Sequence, residues 1–154
     1  MDERFDPGRE VGKWTSLLLR LAVASLYAAA AAGKWVHGPA GARITADYFQ
    51  SVFRETWLPP VLVTGHANVT FLVEPLLVLW LLTGWRLTLA WVVTTAFTVT
   101  LAFGMAVAGR HDVAAANFMY VLVGCAGLYV SPYDGFRLDR IGRLAGTGGP
   151  ADRT

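Results

Sequence analysis

Residues 59–108 read PPVLVTGHANVTFLVEPLLVLWLLTGWRLTLAWVVTTAFTVTLAFGMAVA. Across this block the only charged side chains are Glu74 and Arg86. A helix needs roughly 20 apolar residues to cross a bilayer. The block therefore holds two spans, Pro59–Leu82 and Arg86–Ala108, joined by Thr83-Gly84-Trp85. So short a connection makes the two helices antiparallel neighbours.

Working outward, Trp14–Gly33 and Val113–Val130 are two further apolar stretches of spanning length, and Gly109 to Asp112 is again a short turn. The expected fold class is all-α, an integral membrane four-helix bundle of up-down topology. Composition agrees. The 154 residues are 55% hydrophobic and 16% charged, against about 45–50% and about 25% in an average soluble domain, and mean hydropathy is +0.45. A disordered chain and a basic nucleic-acid binder are excluded, and no Lys/Arg run suggests contact with nucleic acid. The single cysteine, Cys125, excludes an internal disulfide, a CxxC pair and a Cys-based zinc site.

The chain divides into an N-terminal segment 1–13, a four-span domain 14–142 and a tail 143–154 whose composition predicts disorder. The first span reads as a retained helix and not a signal peptide. Its leader carries Asp2, Glu3, Asp6 and Glu10, and its apolar stretch contains Arg20. Eight of the thirteen Lys/Arg residues fall on the side of the termini, which predicts both termini cytoplasmic in a multi-pass plasma-membrane protein. The first connection, Lys34 to Leu58, is too long for a turn. Ile44, Tyr48, Phe49, Val52 and Phe53 recur there at helical spacing, opposite Asp47, Gln50, Ser51, Arg54 and Glu55. This pattern predicts a short amphipathic helix in the first extracytoplasmic loop.

Polar side chains inside spans are costly and therefore informative. Arg20 lies six residues past Trp14, and Ala24, Ala28 and Ala32 follow it at i+4 steps as a small-residue packing row. Glu74 lies eight residues before Leu82, about 12 Å by helical rise and at similar depth. Two readings stand for Arg20, a buried ion pair with Glu74 or a side chain that snorkels to the headgroups. Pro75 has no N–H, so the carbonyl of Phe71 loses its helical donor beside the carboxylate. His66, Thr70 and Glu74 stand at i, i+4 and i+8 on one face, readable as a short proton path or as a structural stripe. Lys34, His66 and Asn117, with Tyr120 continuing the Asn117 face, could ring an outward pocket. His37 and His111 read as solvated loop residues, no metal-ligand spacing occurs, and no metal site is expected.

In this order, Arg20, Gly33-Lys34, an amphipathic segment, Glu74, Gly84-Trp85-Arg86, Asn117 and Leu138-Asp139-Arg140, the chain resembles the DoxX family. The longer first loop is most similar to the DoxD-like small membrane subunits of thiosulfate:quinone oxidoreductase. The resemblance covers roughly residues 14–142. It implies a four-helix bundle, association with a redox complex and contact with quinone. Its characteristic positions here would be Arg20, Gly33, Lys34, Glu74, Gly84, Arg86, Asn117 and Asp139, with Glu74-Pro75 as a departure from the family pattern.

Three classes of function follow. The first is a quinone-binding subunit of an oxidoreductase, not an enzyme on its own. Glu74 and His66 would exchange protons, Arg20 would tune the carboxylate, and Lys34, Thr70, Asn117 and Tyr120 would line the ligand site. Quinone would be the one cofactor, bound non-covalently. Electrons would come from a partner subunit, since no flavin, haem or iron–sulfur motif is present in the sequence. The second is a non-catalytic scaffold or assembly factor. The third is a small proton-coupled transporter using Glu74, which a fixed charge at Arg20 would oppose. Small-residue faces also admit a homodimer.

Overall fold

In the computed structural model residues 7–138 are described. Residues 1–6 and 139–154, among them Asp139 and the tail expected to be disordered, lie outside the described residues. The chain is all-α. Helix α1 spans Pro7–Trp35, α2 Ala40–Val52, α3 Pro60–Thr83, α4 Leu87–Val107 and α5 His111–Val130, followed by a 3₁₀ turn at Ser131–Tyr133. Four of the five, all but α2, are long and apolar enough to cross a bilayer, so this is a multi-pass helical membrane protein.

The helix ends follow from local chemistry. Pro60 opens α3, where a missing N–H costs nothing. Gly84 closes it with φ +64°, and its N–H donates to the Trp80 carbonyl at 3.0 Å. Arg86 also takes a left-handed φ of +45°, so two left-handed residues within three reverse the chain. The Trp80 indole spans this reversal by donating to the Trp85 carbonyl. Gly84 is doubly required, because a Cβ there would press on the Arg20 guanidinium.

Short turns make α3, α4 and α5 antiparallel in succession, and α1 packs against both α3 and α5 to close the bundle. One core cluster joins Val23, Ala24 and Tyr27 of α1 to Leu77 and Leu81 of α3 and to Leu87, Ala90 and Trp91 of α4. A second lies under α2 and includes Phe49, Phe53, Val63, Ala67, Met105 and Ala114. We call the first end of the bundle the terminal end and the second the α2 end. Helix α2 buries Gly41, Thr45, Ala46 and Phe49, while Ile44 and Tyr48 stay exposed. Gly41 rides directly on the Lys34 carbonyl, where any side chain would collide.

The packing face of α1 is Ser16, Arg20, Val23, Ala24, Tyr27 and Ala31, and not the alanine row expected from the sequence. Ala28 and Ala32 are exposed. The reason is geometric. Steps of four residues overshoot a 3.6-residue turn by about 40° each, so a strict i+4 row winds off the contact face.

Helices α4 and α5 approach closely because Gly124 lies on Thr95 and Gly127 lies on the Trp91 ring. A Cβ at Gly127 would overlap that ring, whereas Gly33 faces open space. Gly127→Leu should destabilise the folded bundle by about 1–3 kcal/mol through overpacking. Gly33→Leu should stay close to native in thermal unfolding in mild detergent. Equal melting behaviour of the two variants would contradict this α4–α5 contact.

Candidate functional site

Among the described residues the buried charges form two separate pairs, one at each end. Arg20 does not meet Glu74. At the terminal end its Nη1 donates to Asp134 Oδ2 at 3.3 Å, and its Nη1 and Nη2 both reach the Phe136 carbonyl at 3.4 Å. Ser16 Oγ donates to the same carboxylate oxygen at 3.0 Å, and the Phe136 N–H donates to Asp134 Oδ1 at 2.7 Å. Asp134 is completely buried. At the α2 end the Lys34 ammonium donates to Glu74 Oε2 at 2.5 Å.

Two facts explain why the expected Arg20–Glu74 pair is replaced. Arg20 lies level with Gly84, and Glu74 is ten residues, about 15 Å of rise, further up α3. Side chains on a helix also lean toward its N-terminus. Arg20 therefore points away from Glu74, and Lys34, at the far end of α1, points back down to it. An unpaired buried carboxylate would be strongly destabilising, and pairing with a hydrogen-bonded ammonium removes most of that penalty.

The residue after Lys34 completes the contact. Pro75 leaves the Phe71 carbonyl without its helical donor, and the Trp35 indole N–H donates to that carbonyl at 3.1 Å. The Trp35 and Phe71 rings stack with centroids 4.8 Å apart and planes within 4°. Two consecutive residues of α1 thus satisfy two consecutive polar demands of α3. On the opposite side, Thr98 Oγ1 donates to the Thr94 carbonyl at 2.8 Å. Its proton being committed, Tyr27 must be the donor in the 2.7 Å Tyr27–Thr98 hydrogen bond. This α1–α4 bond borders the Glu74 region.

His66 has a different environment. Eight residues of α3 turn about 80°, so Thr70 and Glu74 enter the core while His66 stays half-buried at its edge. Its ring sits between Phe49 and Phe97, with centroids 6.1 and 6.0 Å away. It makes no hydrogen bond with the described residues. Thr70 Oγ1 donates to the His66 carbonyl at 2.8 Å, so its proton serves its own helix and does not link His66 to Glu74.

Two cavities flank Phe49. One, of about 280 Å³, lies between α2, α3 and α4 and is lined mainly by Phe49, Phe53, Leu62, Val63, Phe103 and Gly104, with His66 and Thr100 as its polar groups. The other, of about 390 Å³, is bounded by Gly33, Lys34, His37, Gly41, Ile44, Thr45 and Tyr48. Lys34, Thr70 and Glu74 are therefore grouped at the α2 end with His66 beside them. Arg20 belongs to the opposite end. Asn117 and Tyr120 lie on α5, half-buried and exposed respectively, make no hydrogen bond with Lys34, His66 or Glu74, and line neither cavity. Among the described residues no three His, Cys, Asp or Glu side chains converge as a metal site would require.

Sequence reasoning missed Asp134, Trp35 and the Tyr27–Thr98 bond. Ser16 and Arg20 at i, i+4 were the signal for a shared acceptor, and the carbonyl bared by Pro75 was the signal for a nearby donor. No protein-family model, curated protein or solved structure matches this chain.

Trp35→Phe keeps the stacking surface and removes the N–H, leaving the Phe71 carbonyl unsatisfied. It should cost about 1–3 kcal/mol. Trp57→Phe, at a residue 74% exposed near the same end, should cost far less. Thermal unfolding in detergent compares them, and equal losses would contradict the role assigned to the indole.

Proposed function

We propose that this multi-pass protein is a membrane subunit that binds a lipid-soluble quinone in the aromatic cleft between α2, α3 and α4 and works beside a redox partner. The observation that carries this reading is His66. It is a half-buried imidazole on a mostly apolar cavity, held between two aromatic rings and free of any hydrogen bond to the described residues. A quinone offers what this cleft lacks, a flat ring for the phenyl walls and a carbonyl oxygen for the imidazole N–H. The volume of about 280 Å³ is near the lower limit of typical ligand sites, about 300 Å³. It suits a headgroup whose chain trails into lipid past Leu62 and Phe103, both exposed.

In this reading His66 touches the ligand and moves a proton to or from its carbonyl oxygen. Glu74 and Lys34 hold α1 against α3 and keep the neighbouring charge balanced. Reduction of a quinone also needs two electrons, which a partner subunit would supply. The resemblance to the DoxX family supports that association, and the Lys/Arg asymmetry supports cytoplasmic termini in a plasma membrane.

A specific observation favours a second reading, a non-catalytic scaffold. The two acids buried among the described residues, Glu74 and Asp134, are already satisfied within the chain, as a purely structural role requires.

The two readings separate in one experiment. Protein purified in mild detergent is extracted, and bound quinone is counted by mass spectrometry beside His66→Phe, which keeps a flat ring without the nitrogen. The native chain should carry near-stoichiometric quinone, and the folded variant should retain about tenfold less, the worth of one buried hydrogen bond. No quinone in the native protein, or equal amounts in both, would overturn the quinone reading and leave the scaffold.

A further inference from the structure

The α2 end carries another cavity, larger and more polar, of about 590 Å³. Its walls come from α2, from the turn after it and from the start of α3. Most of its polar groups are committed inside the chain. Gln50 Nε2 donates to Thr64 Oγ1 at 2.9 Å, Ser51 Oγ to the Tyr48 carbonyl at 2.7 Å and Thr56 Oγ1 to the Phe53 carbonyl at 2.8 Å. Asp47 and Arg54 are the exceptions. Both line the cavity, both are exposed, and neither has an ion pair or hydrogen bond among the described residues. Asp47 lies on α2 and Arg54 in the turn that follows its end at Val52, so the two charges line the cavity from different segments and form no ion pair with each other.

A cavity with one free carboxylate and one free guanidinium matches a ligand that carries both signs of charge. Its position narrows the class further. Trp57 beside it is 74% exposed, as a residue at the membrane–water boundary is. Val61 and Leu62 begin the lipid-facing side of α3 directly below and are also exposed. A ligand here meets water at its head and hydrocarbon along its body.

We propose that this cavity is a headgroup site for an amine-bearing zwitterionic phospholipid. Its phosphate is held by the Arg54 guanidinium, which suits phosphate oxygens in a forked geometry. Its primary ammonium donates to the Asp47 carboxylate. Its acyl chains lie along Val61 and Leu62. The site adjoins the His66 cleft and shares Phe53, Leu58 and Val63 with it as common wall, with Leu62 on the cleft side, but Asp47 and Arg54 line this cavity and not the cleft.

The test reconstitutes the full chain in vesicles of equimolar phosphatidylethanolamine, phosphatidylcholine and phosphatidylglycerol. The protein is extracted in mild detergent and retained lipid is identified by native mass spectrometry. Native protein should keep phosphatidylethanolamine about fivefold over the other two, the scale of one partly exposed charge interaction. Choline cannot donate to Asp47, and glycerol brings no cation. Asp47→Asn should abolish that preference while phospholipid is still retained. Arg54→Gln should lower retention of all three, and Glu55→Gln, a neighbouring exposed acid outside the cavity, should behave as native. Equal retention of the three lipids by the native chain, or a preference that survives Asp47→Asn, would overturn the proposal.

Discussion

Pro75 removes one hydrogen bond from α3 at the residue next to a buried carboxylate, and the end of α1 answers both needs. The Trp35 indole covers the bared Phe71 carbonyl and the Lys34 ammonium neutralises Glu74. In hydrocarbon no water is available to take either role. The two contacts therefore fix the height of α1 against α3. Once that height is set, Gly41 must come down on the Lys34 carbonyl, which seats α2 across the end of the bundle. Phe49 of α2 then becomes the wall between the Lys34 cavity and the His66 cleft.

The terminal end is organised by the same logic with different parts. Arg20 is buried, so its guanidinium needs several acceptors. It finds them in the segment after α5, at Asp134 and the Phe136 carbonyl. Ser16 on the next turn of α1 shares the carboxylate. This clamp folds the chain after α5 back onto the start of α1 and closes the bundle beneath Gly84. Its members are all satisfied within the chain apart from the Arg20 Nε. The α2 end is the opposite case. It holds the His66 imidazole, the Asp47 carboxylate and the Arg54 guanidinium with no hydrogen bond or ion pair among the described residues, and its cavities lie beside exposed tryptophan. The division separates an end whose charges are paired within the chain from an end that keeps unpaired polar groups beside cavities.

Much of this was legible in the sequence. The nearly uncharged block 59–108 with its three-residue turn dictated a helical hairpin, and the amphipathic pattern from Ile44 to Glu55 marked α2. Pro75 pointed to the open carbonyl. The pairing of charges was not legible. Depth counted from span boundaries placed Arg20 and Glu74 together, because Trp14 was taken as level with Leu82, whereas it is Arg20 itself that lies level with Gly84 at the end of α3. The lean of helical side chains toward the N-terminus was also left out. Asp134 lies beyond the last span, so no periodicity marks it as a partner. The outward Ala28 and Ala32 show how a row read at i+4 drifts on a helix of 3.6 residues per turn.

The central claim is that Glu74 belongs to Lys34 and Arg20 to another network. A double-mutant cycle tests it most directly, using thermodynamic stability in mild detergent. Lys34→Met is combined with Glu74→Gln, and Arg20→Met is combined with the same Glu74→Gln. The account predicts a coupling of about 1–3 kcal/mol for the Lys34–Glu74 cycle and additivity within about 0.5 kcal/mol for Arg20–Glu74. Strong coupling between Arg20 and Glu74 with none between Lys34 and Glu74 would contradict it.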